Sequence, residues 1–132
     1  MDEEEALIRA FVVNTKRDRL AELLSNPKRR RKATASLAHF RDLDRRFVIE
    51  LRPNEHDADS VGRALRQRGA GETCHVISEI PELDGKRLPL KIALNEVIGR
   101  GMGTLLSCVP GALGYFEGEE PGDRCVLWRR PI

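Results

Sequence analysis

The side chains best suited to bind a ligand in this 132-residue sequence are five consecutive cations at positions 28–32. No acid occurs from Leu23 through Arg41, so no neighbour in sequence neutralises them. The run falls at the start of a predicted helix, where free backbone N–H groups attract anions and guanidinium groups add charge-assisted hydrogen bonds. The sequence therefore predicts a polyanion site formed by Lys28, Arg29, Arg30, Arg31 and Lys32, extended by Arg41, Arg45 and Arg46.

An ordinary surface role for the same run competes with this prediction. The cations also follow the end of the preceding helix, whose free carbonyl groups favour positive charge. Five consecutive helical residues surround the helix axis, so they cannot all face one ligand. Arg29 and Arg30 lie on the stripe that leads to Ala33 and Leu37, where their stems would cover the core. The charges would then be solvated or paired with acids elsewhere in the chain.

Cysteine and histidine suggest a different chemistry. Cys74 and His75 are adjacent in a predicted strand, so they point to opposite faces and cannot form a nucleophile–base pair. Cys108 lies at the end of another predicted strand and could meet His75 across the sheet, with Glu79 orienting the imidazole. Cys74 and Cys125 have the apolar neighbours of core thiols. A small cysteine-dependent enzyme using Cys108 and His75 is therefore an alternative function.

The remaining motifs predict structure rather than catalysis. The glycines at 99, 101 and 103 follow a predicted helix and precede a strand, which is the reverse of a phosphate-binding loop. We interpret them as a helix stop and a tight turn. The acids Glu117, Glu119, Glu120 and Asp123 lack calcium-loop spacing and predict a solvated turn. Neither a cofactor nor a metal site is predicted.

The elements that must position these residues change character along the chain. Residues 1–46 predict a basic helical hairpin, with a first helix within 4–24, a break at 25–27 and a second helix to about Phe40. Residues 47–132 contain all eleven glycines and predict helices starting at Asp57 or Asp59 and spanning 89–98. Strands are predicted at 73–80, 104–109, 112–116 and 124–128, and 47–51 is either a short strand or an extended connection.

These elements predict one α+β domain over residues 1–132. The N-terminal helical hairpin is followed by a small mixed sheet of about four or five strands with packed helices. The last two strands should form an antiparallel hairpin. A chain of this length can bury one core without metal or disulfide staples.

Charge and composition set the expected partners. Net charge is only +2, but residues 16–46 carry a local +7 and residues 69–123 a local −5. An odd number of cysteines, an acidic start and no long apolar run predict a cytoplasmic protein that is not in a membrane. The first hypothesis is a non-enzymatic domain whose basic helical surface contacts an acidic protein or nucleic acid. An assembly subunit, with homo-oligomers formed through the opposite charges, is a further alternative.

Overall fold

The computed structural model describes residues 2–130. Its α-helices are α1 (Glu3–Phe11), α2 (Asn14–Ser25), α3 (Arg30–Ala35), α4 (Ala58–Gln67) and α5 (Leu90–Val97). Its strands are β1 (Val48–Glu50), β2 (Thr73–Ser78), β3 (Arg87–Pro89), β4 (Thr104–Val109), β5 (Leu113–Glu117) and β6 (Cys125–Trp128). Short 3₁₀ helices cover Ser36–His39, Arg45–Phe47, Pro53–Glu55 and Pro121–Asp123.

The strands form one antiparallel sheet in the order β1-β6-β5-β4-β2-β3, with helices on both faces. Alternate strand residues point to opposite faces. Ile77, Leu105 and Phe116 therefore pack against α1, α2 and α3. The strand residues that alternate with these three, among them Val76 and Tyr115, pack against α4 and α5. This double burial accounts for the nearly continuous burial of the central strands.

Helix boundaries in the second half follow the local signals in the sequence. The side chain of Asp57 caps α4 by accepting a hydrogen bond from the Ser60 N–H, and the helix is followed by Gly69 at φ 113°. Gly99, at φ 91°, follows α5 in the same way. A positive φ favours glycine because a side chain would be strained there. The predicted helix stop at residues 99–103 is confirmed.

The predicted fold class is confirmed, and the sheet differs in detail. It has six strands rather than four or five, and it is antiparallel rather than mixed. The additional strand is β3, which is only three residues long and contains Pro89, so it has no alternating pattern to detect. The predicted hairpin of the last two strands is confirmed as β5 and β6.

The N-terminal helices are shorter than predicted. The first helix divides into α1 and α2 because Val12 forms an isolated β-bridge with Leu43, and the Val13 N–H donates to the Asp42 carbonyl. The second predicted helix is reduced to the six residues of α3 and the following 3₁₀ helix. No helix within residues 2–130 combines the length and apolar character needed to span a bilayer.

The clearest packing constraint lies at Gly103. A Cβ placed there would overlap the backbone of Leu37 and Ala38, where the 3₁₀ helix passes over the start of β4. Gly71 has no atom within 4 Å of the corresponding position and no positive φ.

We therefore expect Gly103→Ala to lower the free energy of unfolding by about 2 kcal/mol or more, because backbone atoms must move to admit the methyl group. Gly71→Ala is the matched control and should change it by less than about 0.5 kcal/mol. Urea unfolding of both variants measures the difference. Equal stabilities would show that the 3₁₀ helix does not pack against Gly103.

Candidate functional site

Arg30, at the centre of the predicted polyanion site, is bound within the protein. Its guanidinium group forms bidentate pairs with Glu4, at 2.6 and 2.7 Å, and with Asp84, at 2.7 and 3.0 Å. It also donates to the Leu24 carbonyl at 3.1 Å. The Arg30 side chain is 20% exposed. Its donors are therefore committed to α1, the end of α2 and the loop between β2 and β3.

Glu4 joins Arg30 to the sheet. Its Oε2 atom lies 2.6 Å from Nε2 of His75 on β2. Burial alone would raise the pKa of Glu4, but its hydrogen bonds with His75 and Arg30 lower that pKa to about 2. The adjacent Glu3 accepts a hydrogen bond from the Ser107 hydroxyl at 2.8 Å and pairs with Arg87. The first turn of α1 is thus fixed to the sheet by two carboxylates.

Three of the other predicted polyanion-binding residues have a carboxylate nearby. Arg29 lies 3.7 Å from Glu22, and Arg41 lies 3.5 Å from Asp123. Arg46 pairs with Asp44 at 2.7 Å. The remaining four are exposed, with no carboxylate within 4 Å among the described residues: Lys28, Arg31, Lys32 and Arg45.

Several backbone N–H groups at the start of α3 are hydrogen-bonded within the protein. The Asn26 carbonyl accepts hydrogen bonds from the N–H groups of Arg29 and Arg30, and the Asn26 side chain accepts one from Lys28. Arg31 borders a cleft of about 590 Å³ beside α3. That cleft also contains Arg30, Glu79 and Asp84, so its charges balance.

The expected pair of Cys108 and His75 does not form. His75 is opposite Ser107 in the register of β2 and β4, and it faces Glu4. Cys108 packs on the other face in the cluster that contains Cys74, and burial raises its pKa. Glu79 accepts a hydrogen bond from the Gly103 N–H instead of orienting the imidazole. The strand alternation that separates Cys74 from His75 also separates Cys108 from His75.

The acidic turn is only partly solvated. Glu117 is fully buried, whereas Glu119 and Glu120 are exposed. The carboxylate of Glu117 accepts hydrogen bonds from the Gly99 N–H, the Gly101 N–H and the Tyr115 hydroxyl, and it pairs with Arg124 at 3.3 Å. The prediction of a solvated turn is therefore wrong for Glu117, which holds the loop that follows α5.

A groove of about 910 Å³ lies at the other end of the sheet, where β1 starts and β6 ends. Four arginines and two aromatic residues line it, and we call it the arginine–aromatic groove. Arg46 and Arg129 lie over the Phe47 ring, at 5.0 and 4.0 Å from its centroid. Arg68 and Arg130 lie over Trp128, at 5.1 and 5.2 Å.

Regular structure holds the two aromatic rings of the groove. Phe47 ends the 3₁₀ helix that is capped by Asp44, and its ring meets Phe11 edge to face at 6.5 Å. Trp128 is the last residue of β6 and pairs with Leu113 of β5. The two rings belong to clusters on opposite faces of the sheet. The groove therefore wraps around the end of the sheet.

Backbone and side-chain contacts fix the arginines. The Arg68 guanidinium group donates to the Ala64 carbonyl at 2.9 Å, at the end of α4. The Arg129 N–H donates to the Ala112 carbonyl and prolongs the pairing of β5 and β6. Hydrogen bonding to Arg46 lowers the pKa of Asp44, and Arg129 contributes to the shift. Asp44 is therefore a carboxylate at the margin of the groove.

Sequence reasoning identified only Arg46 among the residues of this groove. The sequence predicts a short strand or an extended connection at Phe47 and a strand at Trp128, and it gives neither residue a binding role. The available signal was the juxtaposition of aromatic residues with arginine in Arg45-Arg46-Phe47 and Trp128-Arg129-Arg130. The 80 or so residues between these segments hide their proximity, because only the pairing of β1 with β6 brings them together.

Comparisons of this chain with protein-family models, with curated proteins and with solved structures find no match. Functional inference therefore depends on the geometry and charge of the described residues.

The Glu4 contacts predict a specific loss of stability in acid. Its pKa is about 2 in the folded protein and near 4.5 in an unfolded chain, so its contribution is complete above pH 4.5 and is lost as pH falls towards 2. At about 1.4 kcal/mol per pKa unit, this contribution is of the order of 3 kcal/mol. Glu4→Gln should therefore be less stable at neutral pH and lose less stability between pH 4.5 and 2.

Glu5→Gln is the matched control, because it removes the same charge from a more exposed side chain on the same turn. Denaturant unfolding as a function of pH compares both variants with the unaltered protein. Parallel curves for Glu4→Gln and the unaltered protein would contradict the role of Glu4.

Proposed function

We propose that this protein is a non-enzymatic binding domain that holds an acidic partner in the arginine–aromatic groove. The observation that carries the proposal is that most arginines of the groove have no carboxylate, among the described residues, close enough to neutralise them. Four guanidinium groups line the groove, and within residues 2–130 only Arg46 has a carboxylate within 4 Å. Arg68, Arg129 and Arg130 are therefore available to neutralise a partner.

The position of these arginines over aromatic rings supports a binding role. A guanidinium group is planar and weakly hydrated, and it presents its N–H donors around its edge. A face placed over an aromatic ring gains about 0.5–1 kcal/mol at an exposed site and restricts the side chain before a ligand arrives. Edge donors that are not already used within the protein can bind carboxylate or phosphate oxygens, which accept bidentate hydrogen bonds.

The cations of the groove have fewer carboxylates beside them than Arg30 and Arg31 in the run at 28–32. Arg30 is neutralised by two carboxylates, and the cleft beside Arg31 contains as many acids as bases. The run lies near the Ser78 end of β2, whereas the groove lies at the Trp128 end of β6. The register of the sheet places those ends on opposite sides of the domain. The two basic regions are therefore separate.

This separation provides a matched pair of variants for testing the proposal. Arg129→Ala with Arg130→Ala removes two charges from the groove, and Arg31→Ala with Lys32→Ala removes two exposed charges from α3. Fluorescence anisotropy with labelled polyglutamate and with a single-stranded oligonucleotide, at about 50 and about 200 mM salt, measures the affinity of each variant. We expect the groove variant to bind at least about tenfold more weakly, equivalent to about 1.4 kcal/mol.

The control variant should stay within about threefold of the unaltered protein, because its charges act only at long range through screening solvent. Equal losses in both variants would show non-specific attraction and contradict the proposal. A loss confined to the control would place binding at the run of cations on α3. If neither polyanion binds the unaltered protein at the lower salt concentration, the proposal is also refuted.

A further inference from the structure

The arginine–aromatic groove contains an edge of the sheet as well as charge. β1 is the outermost strand, and within the described residues its only strand partner is β6. Val48 and Ile49 of β1 line the groove. An edge strand directs the N–H and C=O groups of alternate residues away from its neighbour, and these groups can pair with another extended chain.

We infer that the partner is an extended acidic peptide segment that adds to β1 as a seventh strand. This inference depends on the proposed function and names the class of partner. Main-chain hydrogen bonds to an exposed sheet edge provide affinity in this kind of recognition, and flanking side chains provide specificity. Here the flanking side chains are the four arginines.

The arrangement of arginines matches the geometry of an added strand. Arg46 and Arg129 lie over Phe47, on the face covered by α1, whereas Arg68 and Arg130 lie over Trp128, on the opposite face. Successive side chains of a strand alternate between those faces. Carboxylates at neighbouring positions of a bound peptide would therefore meet guanidinium groups on both sides of the sheet.

A nucleic acid fits the groove less well. Single-stranded nucleic acids are commonly held by bases stacked on aromatic side chains. Phe47 and Trp128 each carry two guanidinium groups within 5.2 Å of the ring centroid, so the rings are already occupied. A sugar–phosphate backbone also lacks the regular N–H and C=O groups that would pair with the edge of β1.

The test uses a peptide of about eight residues in which pairs of Glu alternate with pairs of Val, so that both faces of the added strand carry carboxylates. This length is enough to cover the short edge strand. Its control has the same sequence and charge, but every backbone amide is N-methylated and so can no longer donate to a sheet edge. Binding of both peptides, and of a single-stranded oligonucleotide, is measured with the full chain. Amide hydrogen exchange of residues 48–50 is followed with and without the unmethylated peptide.

We expect the unmethylated peptide to bind at least about fivefold more tightly than its methylated control, because the control cannot form the two or more main-chain hydrogen bonds of an added strand. Exchange at one or two amides within residues 48–50 should slow on binding. The Arg129→Ala, Arg130→Ala variant should lose this binding, and the Arg31→Ala, Lys32→Ala variant should retain it.

The failure of strand addition and the failure of the proposed function give different results. Equal binding of both peptides that still needs Arg129 and Arg130 would overturn strand addition and leave an acidic partner in the groove. Tighter binding of the oligonucleotide would overturn the peptide as the class of partner. Absence of binding by all three probes would overturn both the inference and the proposed function.

Discussion

The fold depends on the guanidinium group of Arg30, which joins three separate segments of the chain. It binds Glu4 of α1, Asp84 in the loop between β2 and β3, and the carbonyl of Leu24 at the end of α2. Removal of Arg30 would take the guanidinium countercharge from two partly buried carboxylates, which is costly. The same pairs explain why an arginine within a run of five cations does not serve as a surface anion site.

Several acids of the chain are paired within the fold. The acids of α1 are used to hold the first helix on the sheet, through His75 and Arg30 for Glu4 and through Ser107 for Glu3. Buried Glu117 is likewise used to hold the loop after α5. Cations near these acids are satisfied internally. None of these acids pairs with an arginine of the arginine–aromatic groove, where we propose that a partner binds.

Local sequence signals predicted the helix ends and most strands, whereas the site required contacts between distant residues. The Asp57 cap and the glycines at 69 and 99 act within a few residues, so their effects are visible in the sequence. The Arg30 pairs join residues 26 and 54 positions apart. The groove joins residues near 46, 68 and 129. Helical periodicity and strand alternation are local patterns, so they do not show which distant residues come into contact. The strand β3 was also missed, because its three residues are too few to show a pattern.

We propose that the charge that binds a partner lies in the groove rather than in the run at 28–32, where Arg30 is paired with two carboxylates. Side-chain ¹H–¹⁵N NMR of the arginine Nε–H groups, during titration with the acidic peptide, tests it directly. The account predicts shifts for Arg129 and Arg130 and an unchanged signal for Arg30, whose Nε–H already donates to Asp84. Shifts confined to Arg29, Arg30 and Arg31 would contradict it.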